Sequence, residues 1–329
     1  MTESALHMPP RSRRLRRPRP EALFLAGAFV LFVVGMAGLI ATTGWEETRA
    51  SLSRLSLGMG AALLALSLAN YALRGLRWHL YVRALGLPLG WSDSLRHYVG
   101  GFAMSVTPGR VGELVRMRWI RQATGRAPLE TAPLAVADRA GDMIAMGLLL
   151  ALAMAATTFG TLEGLAVAML AIGAGYFVTR PRLAIGMVEG LYRRVQRKPR
   201  LFAKLRIAAR QFRHVAGARV FLPALGLGLM GWFAEGVAMH LLLVWMGADI
   251  GLWTAVLIFT LATLAGGLTG APGGLGGAEA AMVGLLSLQG VPLDIGLPAT
   301  AIIRLTTLWF AVGLGLIVFP FAELKGARA

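Results

Sequence analysis

Cysteine is absent from the 329 residues, which excludes disulfides and thiolate metal sites and leaves the redox compartment unread. Acidic residues are scarce: 16 Asp and Glu stand against 33 Lys and Arg, and charged residues make up only 15% of the chain. The five histidines (His7, His79, His97, His214 and His240) show neither an H-E-x-x-H pattern nor clustering, so no metal site is expected. No recognisable nucleophile–base pair or nucleotide-binding loop is present either. Enzymatic activity is therefore not expected, and neither is a cofactor; a membrane-embedded transferase ranks behind every transport reading.

What is abundant is apolar sequence. Hydrophobic residues make up 56% of the chain and mean hydropathy is +0.65, more apolar surface than a soluble globule of this size can hide. An integral membrane protein is expected. Forty-two glycines suit close helix packing and broken helices in a bilayer.

The net charge of +17 raises nucleic acid as a partner, but its distribution argues against one. Six arginines lie between Arg11 and Arg19, directly before the first apolar run, and twelve Lys or Arg lie between Arg180 and Arg219 against the single acid Glu189. Such blocks mark cytoplasmic flanks and attract anionic lipid headgroups. No aromatic-interleaved reading surface accompanies them. The run Ala22 to Thr43 is long enough to span a bilayer and lacks a clear small-residue cleavage site, so it reads as a retained first span rather than a signal peptide.

Apolar stretches predict spans near 22–43, 57–80, 131–157, 163–179, 219–246 and 295–320. Arginine placement puts both termini in the cytoplasm, with 1–20 and 321–329 as tails. Two further apolar segments, 92–119 and 251–290, are broken in the middle by Pro-Gly. Their flanks each belong on one side, so each is read as a re-entrant helical hairpin, the first opening to the cytoplasm and the second outward. Between the halves, residues 180–218 repeat apolar positions at helical spacing (Leu183, Met187, Leu191, Val195; then Leu201, Leu205, Ala208, Phe212, Val215) opposite a basic face. Two amphipathic helices on the cytoplasmic surface are expected there, against the plainer alternative of a solvated linker.

The chain also contains itself twice. Thr107-Pro108-Gly109-Arg110-Val111-Gly112-Glu113 returns, loosely, as Ala271-Pro272-Gly273-Gly274-Leu275-Gly276-Gly277-Ala278-Glu279. Downstream, Pro133 precedes Arg139 as Pro298 precedes Arg304. Internal duplication in an apolar chain is a signature of transporters whose sites form where broken helices of two halves meet. The expected fold is therefore an all-α integral membrane protein of about six transmembrane helices plus two re-entrant hairpins in an inverted-topology repeat, with halves near 21–160 and 161–320.

Ionisable residues at membrane depth are costly, about 2.5–3.5 kcal/mol each on insertion scales, so they find partners or functions. Asp138 and Asp142 share a helix face, Arg139 reaches Asp142, and Glu235, Glu279 and Arg304 lie in other apolar segments. One reading is a neutralised structural cluster. In the functional reading, the Pro-Gly turns (Pro108, Gly109, Arg110, Gly112; Pro272, Gly273, Gly274, Gly276, Gly277) offer free amides to a phosphate. Arg139 and Arg304 hold its charge, and Glu113 and Glu279 receive a cationic headgroup. Stabilisation of their own helix starts is the plainer role for those two carboxylates. Arg74, Arg77 and Trp78 read as an interfacial anchor, and His240 is given no role.

At these motifs the sequence resembles the lysylphosphatidylglycerol synthase transmembrane family, a flippase-like domain found alone or fused to a lipid-modifying domain. The residues that carry the resemblance are Thr107 to Glu113, Asp138-Arg139-Ala140-Gly141-Asp142, Pro272 to Glu279, and Arg304, within about 25–325. Family members often have Glu where Asp138 stands. The resemblance implies a lipid-translocating domain. In fused members a soluble aminoacyl-transferring domain follows, whereas this sequence ends nine residues after Pro320, so lysine–lipid synthesis is not expected. The expected function is a flippase in a bacterial inner membrane for a polar or aminoacylated phospholipid, an isoprenoid-linked carrier or a hopanoid. A secondary transporter of a small hydrophilic solute and a non-transporting subunit are the alternatives. Expected partners are membrane lipids, anionic or aminoacylated phospholipid first; a homo-oligomer is left open and no nucleic acid is expected.

Overall fold

In a bilayer a backbone N–H must find its acceptor inside the protein, and the α-helix does this within one segment. The computed structural model describes residues 45–107, 111–157, 162–178, 180–195 and 199–326, with 27, 29, 30, 33 and 34 of the first apolar run, and no strand occurs among them. Helices α1 (Trp45–Ser53), α2 (Leu57–Ala84) and α3 (Trp91–Gly100) lead into a 3-10 turn (Gly101–Met104). Then come α4 (Val111–Thr124), α5 (Pro128–Ala155), α6 (Leu162–Val178), α7 (Pro181–Val195), α8 (Pro199–Ala216), α9 (Ala218–Met246) and α10 (Leu252–Leu268). A second 3-10 turn (Pro272–Gly274), α11 (Gly277–Leu288), α12 (Leu293–Arg304), a π-helical turn (Leu305–Trp309) and α13 (Phe310–Gly326) complete the chain.

Among the described residues, three stretches, Leu57–Ala84, Ala218–Met246 and Leu293–Glu323, are long and apolar enough to cross a membrane. The segment expected at 131–157 is a 28-residue helix, but Asp138, Arg139 and Asp142 interrupt its apolar run. The one expected at 163–179 is a 17-residue helix, and most of 22–43 lies outside the described residues. Many large apolar side chains face outward, among them Leu68, Leu152, Met169, Leu222, Met230 and Ile317. A soluble monomer rarely exposes so much apolar surface, whereas lipid tails accept it. The chain is an all-α multi-pass membrane protein.

Helices α2 and α9 run antiparallel along each other at the centre. Leu63 of α2 joins Met239, Leu242 and Met246 of α9 in one apolar core, and Trp78 and Tyr81 join Ala224 in a second. Local sequence sets the ends. Ser56 Oγ accepts from the Met59 amide at 3.2 Å to start α2, and α9 stops at Gly247, whose φ of +93° permits the left-handed closing residue. Arg54 Nη1 donates to the Met246 carbonyl at 2.9 Å, placing a cation where the α9 dipole ends.

Contacts around this pair repeat. α3 packs on α2 and α13, as α10 packs on α9 and α5. α6 packs along α5, while Phe29 of the first apolar run meets Trp309 edge-on at 4.8 Å. The second segment breaks at its Pro-Gly as expected, α10 giving way to the turn at 272–274; in the first, α3 ends in the 3-10 turn at 101–104 and α4 starts at Val111, with Pro108 and Gly109 themselves outside the described residues. Residues 180–218 form two helices packed on each other, with α8 also resting on α5. Phe202, Ala209, Phe212 and Val215 of α8 are buried, while Leu183, Met187 and Leu191 of α7 are exposed.

Candidate functional site

On α2, Ser67, Asn70, Arg74 and Arg77 recur at helical spacing and are all buried. The facing stripe of α9 makes room for them with glycine: a Cβ on Gly231 would stand 2.7 Å from Asn70 Oδ1, and one on Gly228 would stand 2.8 Å from Arg77 Nη1. This polar seam lies between the two apolar cores.

Asp138 and Asp142 on α5 meet the seam from the side. Arg77, fully buried, donates through Nε to Asp138 Oδ1 at 3.1 Å and through Nη2 to Asp142 Oδ1 at 2.8 Å. Arg74 Nη2 reaches Asp142 Oδ2 at 2.7 Å, and Trp232 Nε1 donates to Asp142 Oδ1 at 3.0 Å. Arg139 stands farther off, 3.5 Å from Asp142 and 3.7 Å from Asp138, with 34% of its side chain exposed. This corrects two expectations. Arg74, Arg77 and Trp78 form no interfacial anchor, and Arg139 is not the main counter-charge of the two aspartates.

Arg116, in the 92–119 segment expected to open to the cytoplasm, is also buried. Its guanidinium lies 4.5 Å from the Tyr98 ring centre, 5.4 Å from that of Trp78 and 5.7 Å from that of Phe102, and 3.8 Å from Asp138 Oδ2. Aromatic faces and a carboxylate together offset the cost of burying the charge. Gly101 clears its path, since a Cβ there would sit 2.2 Å from Arg116 Nε.

In the second half the arrangement is simpler. Glu279, in the first turn of α11, accepts from Arg304 Nε at 2.6 Å, and Arg304 Nη2 donates to the Gly273 carbonyl at 2.9 Å. Arg304 thus staples the Pro-Gly turn to α12. The π-helical turn follows at once and presents the Thr307 carbonyl to Tyr71 Oη. Gly273 has φ +64° and faces Val106 of the first broken segment so closely that a Cβ would stand 2.6 Å from its Cγ1, so the two broken segments touch here.

Beside that contact lies a cavity of about 200 Å³. Arg74, Arg116, Arg139 and Arg304 reach it with Asn70 and Glu235, and Phe102, Phe259 and Leu308 supply apolar wall. Of the residues singled out in the sequence, Arg139, Arg304, Gly273 and Gly274 line it, while Asp138, Asp142 and Glu279 hold its arginines. Gly276 and Gly277 lead into α11, with Gly276 at φ +82°. Pro108, Gly109 and Arg110 lie outside the described residues; Gly112 and Glu113 begin α4, with the Glu113 side chain undescribed. His240 hydrogen-bonds the Ile250 carbonyl at 3.0 Å. Sequence reasoning missed Asn70, Trp232 and Arg116. The spacing of Ser67, Asn70, Arg74 and Arg77 was the available signal for the first of these. No cluster of metal-ligating side chains occurs among the described residues.

The chain matches the family model described as the lysylphosphatidylglycerol synthase TM region over residues 23–315. It is similar to a UPF0104 membrane protein of Methanothermobacter thermautotrophicus, 25% identical over 317 residues that cover 89% of this chain and 94% of the relative. A second match to a UPF0104 membrane protein of that organism is 32% identical over 91 residues, 28% of this chain and 27% of the relative. With the family model matched over residues 23–315, the chain belongs to the lysylphosphatidylglycerol synthase transmembrane-region family.

Proposed function

We propose that this chain is a flippase that moves a polar lipid across its membrane, receiving the anionic part of the headgroup in the central cavity. The observation that carries this reading is the convergence of Arg139 and Arg304, the arginines at matching places in the sequence repeat, on one cavity beside the touching Pro-Gly segments. Four arginines reach that cavity against a single carboxylate, and guanidinium forks hold phosphate bidentately. The apolar outer faces of the surrounding helices would keep the acyl chains in lipid while the headgroup is enclosed.

In this reading the halves are an inverted repeat. The first apolar run, α2, the broken α3–α4 segment and α5 correspond to α6, α9, the broken α10–α11 segment and α12–α13. Each broken segment enters and leaves by one face, giving six crossings with both termini in the cytoplasm, and the halves rock about the cavity. The paired contacts described above support this correspondence.

A small hydrophilic solute is the second reading, favoured by the volume: about 200 Å³ lies below the ~300–1,000 Å³ of ordinary ligand pockets. Reconstituted vesicles separate the two. Fluorescent phosphatidylglycerol and phosphatidylethanolamine in the outer leaflet should become inaccessible to a membrane-impermeant quencher only with protein present. Single cysteines at 200 and 160 in the same vesicles should label from opposite faces. A normal quenching level across a broad lipid panel would favour the solute reading, and labelling of both cysteines from one face would overturn the inverted repeat.

A further inference from the structure

Glu235 differs from every other buried carboxylate described at this site. Asp138, Asp142 and Glu279 each have an arginine within 4 Å. Glu235, 1% exposed, has no ion pair among the described residues. Its partners are neutral: Asn70 Nδ2 donates to Oε1 at 2.7 Å, and Ser67 Oγ donates to Oε2 at 3.2 Å. Yet it is not sealed away, because Glu235 and Asn70 both line the cavity. A carboxylate held by two neutral donors next to water-sized space is built differently from one clamped by guanidinium.

We infer that Glu235 is a proton-binding site whose occupancy is linked to that of the cavity. A hydronium ion in the cavity gives its proton to Oε2 and leaves as water. Ser67 Oγ, the longer of the two hydrogen bonds, turns its hydrogen away and accepts from the new O–H, while Asn70 goes on donating to Oε1. The cycle reverses when the proton leaves to water.

The linkage has a sign. The charged and titratable groups of the packed elements are Arg74, Arg77, His79 and Arg83 on α2, Glu130, Asp138, Arg139 and Asp142 on α5, and Asp294 and Arg304 on α12, with Tyr71 and Tyr81 the phenols of α2; α10 carries none. On α9 itself, His240 is bound to Ile250. α8 joins α9 at Gly217, about 27 Å of helix from Glu235. Arg74, Arg139 and Arg304 share the cavity with Glu235. An anion on these arginines removes the positive field that favours the carboxylate, so anion and proton favour each other's binding. Coupled in this way, a proton gradient can drive a lipid phosphate or a free anionic solute. The inference rests on the cavity being the substrate chamber proposed above, but its first test does not.

That test is infrared difference spectroscopy of the full chain in lipid nanodiscs between acid and alkaline pH. A protonated-carboxyl band should appear on acidification in the native protein and be missing in Glu235→Gln, which keeps the shape and the acceptor for Asn70. Identical difference spectra in the two proteins would overturn the site. The second readout is proton uptake from unbuffered solution on adding short-chain phosphatidylglycerol, expected at about one proton per chain and lost in Glu235→Gln. Bound lipid without proton uptake would overturn the coupling. Failure of that lipid to bind or move counts against the lipid reading, and the infrared titration still decides the site.

Discussion

The two halves carry the same Pro-Gly turn and the same downstream arginine, but they handle charge in opposite ways. In the second half Arg304 and Glu279 form a closed pair, with the arginine's Nη2 tied to the Gly273 carbonyl. In the first half, four arginines (Arg74, Arg77, Arg116 and Arg139) share two aspartates. Two positive charges are left in surplus, and Arg139 is the most exposed of the cluster. Duplicated sequence therefore does not mean duplicated role. One arginine of the related pair fixes a turn, whereas in the reading proposed above the other meets the lipid phosphate.

The largest effect should come from breaking the first-half cluster at its most buried member. Arg77→Leu leaves Asp138 without its fully buried partner and Asp142 with only part of its own. Removing one side of a buried pair costs about 3–5 kcal/mol. Little folded protein should be recovered, as measured by monodisperse yield and thermal unfolding in detergent. The double change Arg77→Met with Asp138→Leu should recover part of the loss, because it no longer leaves a buried Asp138 without its main partner, while Arg116 keeps its aromatic faces. If Arg77→Leu unfolded at the native temperature, the cluster would not hold α2 to α5.

The contrast between the halves was only partly legible in the sequence. The Pro-Gly turns stand out because proline and glycine punctuate helices whatever surrounds them, and both broken segments lie where they were expected. The role of Arg74 and Arg77 did not stand out. Near the end of an apolar run and followed by more basic residues, they look like snorkelling anchors. Only the antiparallel passage of α9, with Gly228 and Gly231 opposite, gives them a buried destination. Arg116 was hidden for a similar reason: its neighbours Arg118 and Arg121 make it look like part of a basic flank, whereas Tyr98, Trp78 and Phe102 come to it from other elements. On α7 and α8 the helical period was right, but which apolar face would be covered depended on α5, which periodicity does not report.

A smaller loss is expected in the second half. Glu279→Gln keeps an acceptor for Arg304 but removes the charge from their 2.6 Å contact. Hydrogen bonds to charged groups contribute about 1.5–3 kcal/mol, so thermal stability should fall measurably yet less than in Arg77→Leu. The weaker hold on the Arg304 guanidinium should also loosen the Gly273 turn, read as faster proteolysis or hydrogen exchange across 270–278. An unchanged melting temperature together with abolished lipid movement would give Glu279 the headgroup role expected from the sequence, and the two halves would then be functionally alike.

The smallest effect on stability should come from Arg139→Gln, and this is where the comparison is sharpest. Its contacts with Asp138 and Asp142, at 3.7 Å and 3.5 Å, are the loosest ion pairs of the two aspartates apart from that of Arg116. Arg74 and Arg77 remain to neutralise both carboxylates. Partly exposed pairs of this kind contribute about 0–1 kcal/mol, so the melting temperature should barely move. A phosphate on Arg139 loses a charge-assisted bond of about 1.5–3 kcal/mol instead, a fall in affinity of roughly tenfold to a hundredfold. Native mass spectrometry of the purified protein should therefore show depletion of co-purifying anionic lipid in Arg139→Gln while the chain stays folded. A large drop in stability with unchanged lipid retention would make Arg139 a structural member of the cluster, and both halves would then use this arginine to hold structure.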